Sequence, residues 1–526
     1  EHPDFHSYME SWTGHGPAPY QPQGLIVFAE NGSLIERLND FQEQDSWRGP
    51  TTRALVDSLE AAVALAPNTF LRLLNDFINA KRPFQYGVIS GFKEIWSKSG
   101  QETQQLDWDT AWRELILFFE RLIGPQEFWA EQALQDQNYT PNRDWIPPII
   151  AEFLRSGTRD DEKTYSADLL PRTWRLLAIL LDKLDWRGEP PKSDSMTQAI
   201  NSSRGKAIEA VYSQALRACR LADRERQQHA EVWASMREAF EGELSKCQNA
   251  NYDFSTLAGA YITQLEYIDW AWLKVQILKI FPGEFQGNFI CALGGLAYAN
   301  VSRPVYALLV ETGIIDHALR LPIDDRRVIE RLVERIALAY LSNDEQLDSP
   351  RITHLFDAGQ IEAIDDAIGW FWGIREEQLS PEQVERIIKF WERCVSWSRT
   401  LPQPPAQLLS SLSRLACYIS AINDRELDLM LAVAPYAHVV HYYDFFYEEL
   451  DRLADVHPAQ VAVILKATLE AHVPYIDFED RLKSILSRLA AGGKRTEAIV
   501  LADRLKQVPG MVQIFKDLQS GHDSTR

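Results

Sequence analysis

The chain has 526 residues, 45% of them hydrophobic and 25% charged, and a formal net charge of −21. A single compact core stops growing near ~250–300 residues, so this length implies several domains or an extended array. The acidic balance argues against a nucleic-acid surface, which needs a basic stripe to neutralise phosphates. No apolar run approaches the ~18 residues of a membrane-spanning helix, so no membrane partner is expected.

Residues 1–50 read as an irregular lead-in, punctuated by Gly14, Gly16, Pro17, Pro19, Pro22 and Gly24. Its opening, Glu1-His2-Pro3-Asp4, lacks methionine and a signal peptide and reads as the cut edge of a longer protein. Leu25-Ile26-Val27-Phe28-Ala29 is the one strand-like run, before the turn pair Asn31-Gly32. One strand cannot found a sheet, so it is expected to be an extended connector.

Helices are expected from Thr51 onward. Residues 51–187 form a first helical segment. Leu55, Leu59, Ala62, Val63 and Leu65 make one stripe; Phe70, Leu71, Leu73, Leu74 and Phe77 make the next, after Pro67-Asn68. Trp108, Trp112, Leu115, Phe118, Phe119 and Leu122 line another helix, entered at Leu106-Asp107. Tyr139 to Pro148, with three prolines, is expected to be a loop, and the apolar stretch from Leu169 to Leu184 to be central. Gly188-Glu189-Pro190-Pro191-Lys192-Ser193-Asp194-Ser195 is the clearest break.

A second segment, 200–400, begins where Asn201-Ser202-Ser203 caps a helix carrying Ile208, Val211, Tyr212, Ala215, Leu216 and Cys219 on one face. Helices are expected over 225–246, 254–280, 286–299 and 304–320. Next, Ile329, Leu332, Val333, Ile336, Ala337 and Tyr340 form an apolar stripe opposite Arg326, Arg327, Glu330, Arg331, Glu334 and Arg335. The best-specified start is Ser380-Pro381-Glu382-Gln383, an N-cap hydroxyl, a proline at the first position and a glutamine at the third, which is a capping box. Behind it Val384, Ile387, Ile388, Trp391, Cys394 and Val395 share a face. After Leu401-Pro402-Gln403-Pro404-Pro405 comes a third segment, 406–518, with the stripe Phe478, Leu482, Ile485, Leu486 and Leu489, and then a polar tail, 519–526. Roughly twenty helices with short turns and no strand series predict an all-α fold. We expect an irregular, elongated α-solenoid of stacked pairs, HEAT- or TPR-like, rather than one large bundle.

No motif carries catalysis. Gly492-Gly493-Lys494-Arg495-Thr496 has a fragment of a phosphate loop, but Arg488 stands where the first glycine is needed and a helix precedes it; it reads as a turn. His438 and His441, with Asp444 and Glu448, could share a helix side and bind a metal, yet six aromatics between Tyr436 and Tyr447 favour a packing surface. His229-Ala230-Glu231-Val232-Trp233 departs from the metalloprotease pattern, and no hydrolase serine elbow is present. The acidic groups Asp160-Asp161-Glu162, Asp324-Asp325 and Asp365-Asp366 read as solvated surface. Five scattered cysteines, Cys219, Cys247, Cys291, Cys394 and Cys417, read as reduced, buried residues of a cytoplasmic protein. Trp370-Phe371-Trp372 turns aromatics to more than one helix side, either because two sides are buried or as an anchor for a partner. No catalytic, cofactor-binding, metal or partner-contact residue is assigned.

A resemblance goes further. Arg331-Leu332 through Ala339-Tyr340-Leu341, Leu347-Asp348-Ser349-Pro350, Leu355-Phe356-Asp357-Ala358 and Phe390-Trp391-Glu392-Arg393 follow one another in an order that resembles the helical C-terminal region of bacterial antiviral STAND NTPases and related defence proteins. Glu1-His2-Pro3-Asp4-Phe5, Trp47-Arg48-Gly49-Pro50 and Asn201-Ser202-Ser203-Arg204-Gly205-Lys206 fit the same pattern. The resemblance implies a long helical sensor that recognises a phage structural or packaging protein. An N-terminal effector and NTPase, absent from this chain, would then oligomerise and act. The sensor itself would be no enzyme and hold no cofactor. The other classes are a scaffold of a larger complex and a helical enzyme with an unrecognised site. An enzyme should gather titratable groups with shifted pKa values, and a sensor should expose aromatics.

Overall fold

In a computed structural model of the chain, which describes residues 16–43, 49–98, 106–132, 139–440 and 444–520, every regular element among the described residues is helical. The all-α expectation therefore holds. Among the described residues the α-helices number 28, more than the roughly twenty read from periodicity, because several have fewer than eight residues and carry too little pattern to count.

Helix starts follow the capping chemistry. Ser380 accepts from the backbone of Gln383, whose side chain accepts from the backbone of Ser380, opening the Pro381–Ser398 helix. Asp107, Ser202 and Asp325 cap the Trp108–Ile123, Ser203–Arg224 and Arg326–Leu341 helices. The Arg326–Leu341 helix buries Leu332, Val333, Ile336, Ala337 and Tyr340 as expected. Its charged face is less uniform: burial, helped by neighbouring Arg331, brings the Arg335 guanidinium down to about 10.

Several expectations fail. Leu25–Ala29 is no strand; it lies within the Pro22–Glu30 helix, and the Leu34–Asp40 helix follows, so the described part of the lead-in, 16–43, is mostly helical. Proline at the first helical position and burial of Leu25 and Ala29, four residues apart, override the β-branched composition. Tyr139–Pro148 is not all loop. The Ile146–Ser156 helix takes Pro147 and Pro148 into its first turn, where no backbone donor is needed. The stretch 254–280 is divided: Tyr252–Ala260 is one helix, and Ile262–Ile280 is interrupted at Asp269, whose backbone is extended and whose carboxylate accepts from the Trp272 backbone. Gln519 and Ser520 end the Met511–Ser520 helix rather than begin a tail.

The chain divides into two compact units, residues 1–312 and 313–526. Both proline-rich breaks lie inside a unit, between the Leu170–Lys183 and Ser195–Asn201 helices and between the Pro381–Ser398 and Ala406–Leu412 helices.

In the first unit the Tyr252–Ala260 and Gln286–Leu296 helices cross almost backbone to backbone. A Cβ on Gly259 would lie 2.0 Å from the Ala292 carbonyl oxygen, and one on Gly295 would lie 1.7 Å from that of Thr256. Only glycine permits this approach. Beside the crossing sits buried Arg204. Its Nε donates to Asn251 at 2.9 Å, its Nη1 to the Leu181 and Leu184 carbonyls at 2.7 and 2.6 Å, and its Nη2 to buried Glu243. One guanidinium thus joins the end of the Leu170–Lys183 helix, its own helix, the His229–Ser245 helix and the cap of the Tyr252–Ala260 helix.

The second unit uses several smaller ties. Arg351 reaches buried Glu345 and Asp316. Arg386 donates to the Tyr340 and Glu345 carbonyls and to Asn343, and lies over the Tyr340 ring at 4.3 Å, fastening the 342–349 loop. Arg425 bridges Glu385 and Glu392 of the Pro381–Ser398 helix.

Candidate recognition surfaces

The sequence-flagged groups go mainly to structure. Gly492-Gly493 is the turn between the Arg481–Ala491 and Arg495–Arg504 helices, with Gly493 at φ +80. His438 stacks on His472 with ring centroids 4.7 Å apart, and burial together with His472 holds its imidazole below the usual range. His441 lies outside the described residues. Glu448 pairs with Arg481 at 3.0 Å instead of joining a ligand set, and among the described residues no group of three His, Cys, Asp or Glu is placed to hold a metal ion. His229 contacts Asp223 at 3.1 Å.

Two acidic groups are not the solvated surface expected. Asp161 receives Arg217, Arg220 and Arg224 at 2.8, 3.0 and 2.9 Å. Burial alone would raise its carboxyl, but these guanidiniums hold it below the usual range. The three arginines share one face of the Ser203–Arg224 helix, so the contact clamps the 157–166 loop to it. Burial pushes Asp366 up to about 6 against the opposing pull of Arg326, 2.5 Å away. Asp325 caps the Arg326–Leu341 helix, accepting from the Arg327 backbone.

Four cysteines are buried and Cys417 is partly so, none in a disulfide. Burial drives the Cys219, Cys247 and Cys291 thiols up to about 12, which removes their nucleophilic form at neutral pH. Phe371 is fully buried, while Trp372 is partly exposed between the Arg375 and Arg414 guanidiniums, 4.1 and 5.3 Å from its ring, and Phe445. Two sides of that helix are thus engaged.

Large apolar side chains are exposed at many scattered positions, and at two places they fall close together. In the second unit, the segment joining the Pro458–Ala471 and Arg481–Ala491 helices displays Tyr475, Ile476 and Phe478 at 88%, 58% and 52% exposure. Phe478 was expected on the buried stripe with Leu482. It leaves that stripe because Glu479 and Asp480 both adopt left-handed backbone, φ 55, and turn it outward. The loop is braced from within. Asp477 accepts from the Leu482 and Lys483 backbones at 2.8 and 3.1 Å, Arg481 holds Glu479 at 2.7 Å, and His472 meets the Tyr475 ring edge. Its rim is acidic: Asp477, Glu479, Asp480 and Glu448 outnumber Arg481 and Lys483.

A second surface lies on the 270–280 part of the Ile262–Ile280 helix. Trp272, Leu273, Gln276, Ile277 and Ile280 are buried, whereas Val275 and Leu278 are 75% and 58% exposed on the same side as Ala271. This stripe is flanked by the exposed Lys274, which lies 5.7 Å from the Trp270 ring, and the exposed Lys279.

Comparison with family models, curated proteins and solved structures returns no match to this chain.

Proposed function

We propose that the chain is a non-catalytic helical recognition module of stacked helix pairs, the target-sensing part of a larger anti-phage defence protein whose NTPase and effector lie outside this chain. The observation that carries this reading is the Tyr475-Ile476-Phe478 loop. Three large apolar side chains stand in solvent on a loop whose backbone is fixed by Asp477 and Arg481. Isolated exposed apolar residues are ordinary, but three within four positions, two of them aromatic, on a braced loop with a polar rim have the form of a protein-binding anchor. Its acidic rim selects a target whose apolar pocket has a basic edge. A phage structural or packaging protein is the target class that the family resemblance implies.

The test is binding of the purified chain to a panel of phage virion and packaging proteins, beside a Tyr475→Ser/Phe478→Ser variant. Loss of an anchor pair of this kind is expected to weaken the complex by about a hundredfold or more, with helicity by circular dichroism unchanged because both side chains lie outside the core. A complex that the variant forms equally well, or no complex with any member of the panel, would overturn the reading.

A further inference from the structure

We infer that this loop also docks on the 270–280 stripe of a second copy of the chain, so that the protein self-associates head to tail and a target must compete for the loop. The inference rests on the reading of the loop as a docking element and names what covers it when no target is present. The two surfaces are complementary in kind. One is an apolar set, Tyr475, Ile476 and Phe478, with exposed carboxylates at Asp480 and at Glu479, which also pairs with Arg481, while Asp477 is turned onto the Leu482 and Lys483 backbones. The other is an apolar stripe, Ala271, Val275 and Leu278, with ammonium groups at Lys274 and Lys279.

The helix side of this contact is built to receive something. Asp269 breaks the Ile262–Ile280 helix and restarts it, which lets the following residues bury Trp272, Leu273 and Ile277 inward and leaves Val275 and Leu278 outward. A polar residue at either outward position would serve the fold equally well, since neither side chain is buried. Two copies of the same stripe would set lysines against lysines, so a symmetric pairing of stripe on stripe is disfavoured. The loop presents the opposite sign. In a protein of net charge −21, the lysine-flanked stripe is also a locally basic surface, where an acidic loop of a second copy meets attraction rather than the repulsion of the acidic surface elsewhere. Because the two patches are different surfaces, the contact is heterologous: each added copy leaves one loop and one stripe free, and the product is a ring or an open chain.

The experiment is sedimentation velocity of the full chain over a wide concentration range at low and high salt. The wild type is expected to show mass above that of the monomer, rising with concentration and falling with salt. Lys274→Glu/Lys279→Glu and Glu479→Lys/Asp480→Lys should each weaken association by about tenfold or more. Mixing the two variants should restore it, because each then offers a loop opposite in sign to the other's stripe. Circular dichroism checks that both remain folded. A wild type that stays monomeric throughout, or association indifferent to the reversals, would sink the proposal, as would a mixture that fails to associate. The two readings fail separately. Self-association without a phage target leaves the contact standing and removes only the sensor; a monomer that binds its target through Tyr475 and Phe478 does the reverse.

Discussion

The two units fasten their helices with the same residue in different ways. In the first, Arg204 is buried and serves four elements at once, and the nearby helix crossing at Gly259 and Gly295 leaves no room for a Cβ. In the second, Arg351, Arg386 and Arg425 each tie a helix to one or two neighbours, and Arg425 does so with about a third of its side chain in water. The number of hydrogen bonds per arginine is similar. What differs is burial and the number of elements that depend on each. The first unit should therefore lose stability as a whole when its hub is removed, and the second should lose it locally.

The largest effect is expected from Arg204→Met. Methionine keeps most of the volume but strips donors from the Leu181 and Leu184 carbonyls and from Asn251, and removes one partner of Glu243. Breaking a buried ion pair from one side costs about 3–5 kcal/mol. Lys246, 2.7 Å from Glu243, and the Asn251 amide, 2.8 Å away, still compensate that carboxylate, so we expect the lower end, about 3 kcal/mol. Urea unfolding should show the first transition moving to lower denaturant and the second unchanged. Equal displacement of both transitions, or of neither, would break the comparison.

A smaller effect of opposite sign is expected at Glu60, also in the first unit. Burial pushes its carboxyl up to about 7 from an ordinary 4.5, against a hydrogen bond from Ser90 and the charge of Arg53. A carboxyl that holds its proton more tightly in the folded state imposes no cost below the unfolded value. The cost grows as pH rises from about 4.5 to 7 and is complete above. Glu60→Gln should therefore stabilise the protein at pH 8 by about 1–2 kcal/mol, after allowance for partial exposure, and should change little at pH 4. Thermal midpoints of both proteins across that range test the sign. Asp366→Asn should give the same trend in the second unit over a window ending near pH 6.

What was legible before the structure was local. The Ser380 capping box and the apolar stripe from Leu332 to Tyr340 depend on residues three or four apart, and both formed. Leu25–Ala29 misled because its β-branched composition favours a strand while its spacing also suits a helix, and packing decided the matter. The candidate surfaces were illegible for a different reason. Phe478 fits the stripe of Leu482 by spacing, and only the left-handed backbone of Glu479 and Asp480 expels it. Val275 and Leu278 are apolar and exposed beside Lys274 and Lys279 while polar Gln276 is buried, and the break at Asp269 resets the helix, so periodicity could not say which face is exposed. Arg204 gave no signal at all, because its partners lie 20 to 47 residues away in sequence.

The smallest effect sharpens the comparison most. Arg425 makes a fork to Glu392, at 2.6 and 2.9 Å, and a second pair of contacts to Glu385, at 3.1 and 2.9 Å. Counted by bonds, it equals Arg204. These contacts raise the Arg425 guanidinium and hold the Glu385 carboxyl below its usual range. Yet all three side chains keep a third or more of their surface in water, where solvent competes for every bond and salt screens the charges. Arg425→Ala should therefore cost only about 0.5–1 kcal/mol, confined to the second unit, and less in high salt. Urea unfolding with and without added sodium chloride gives the measurement. A loss as large as that of Arg204→Met would mean that bond count, rather than burial and shared dependence, sets the strength of these ties. The contrast between the units would then vanish.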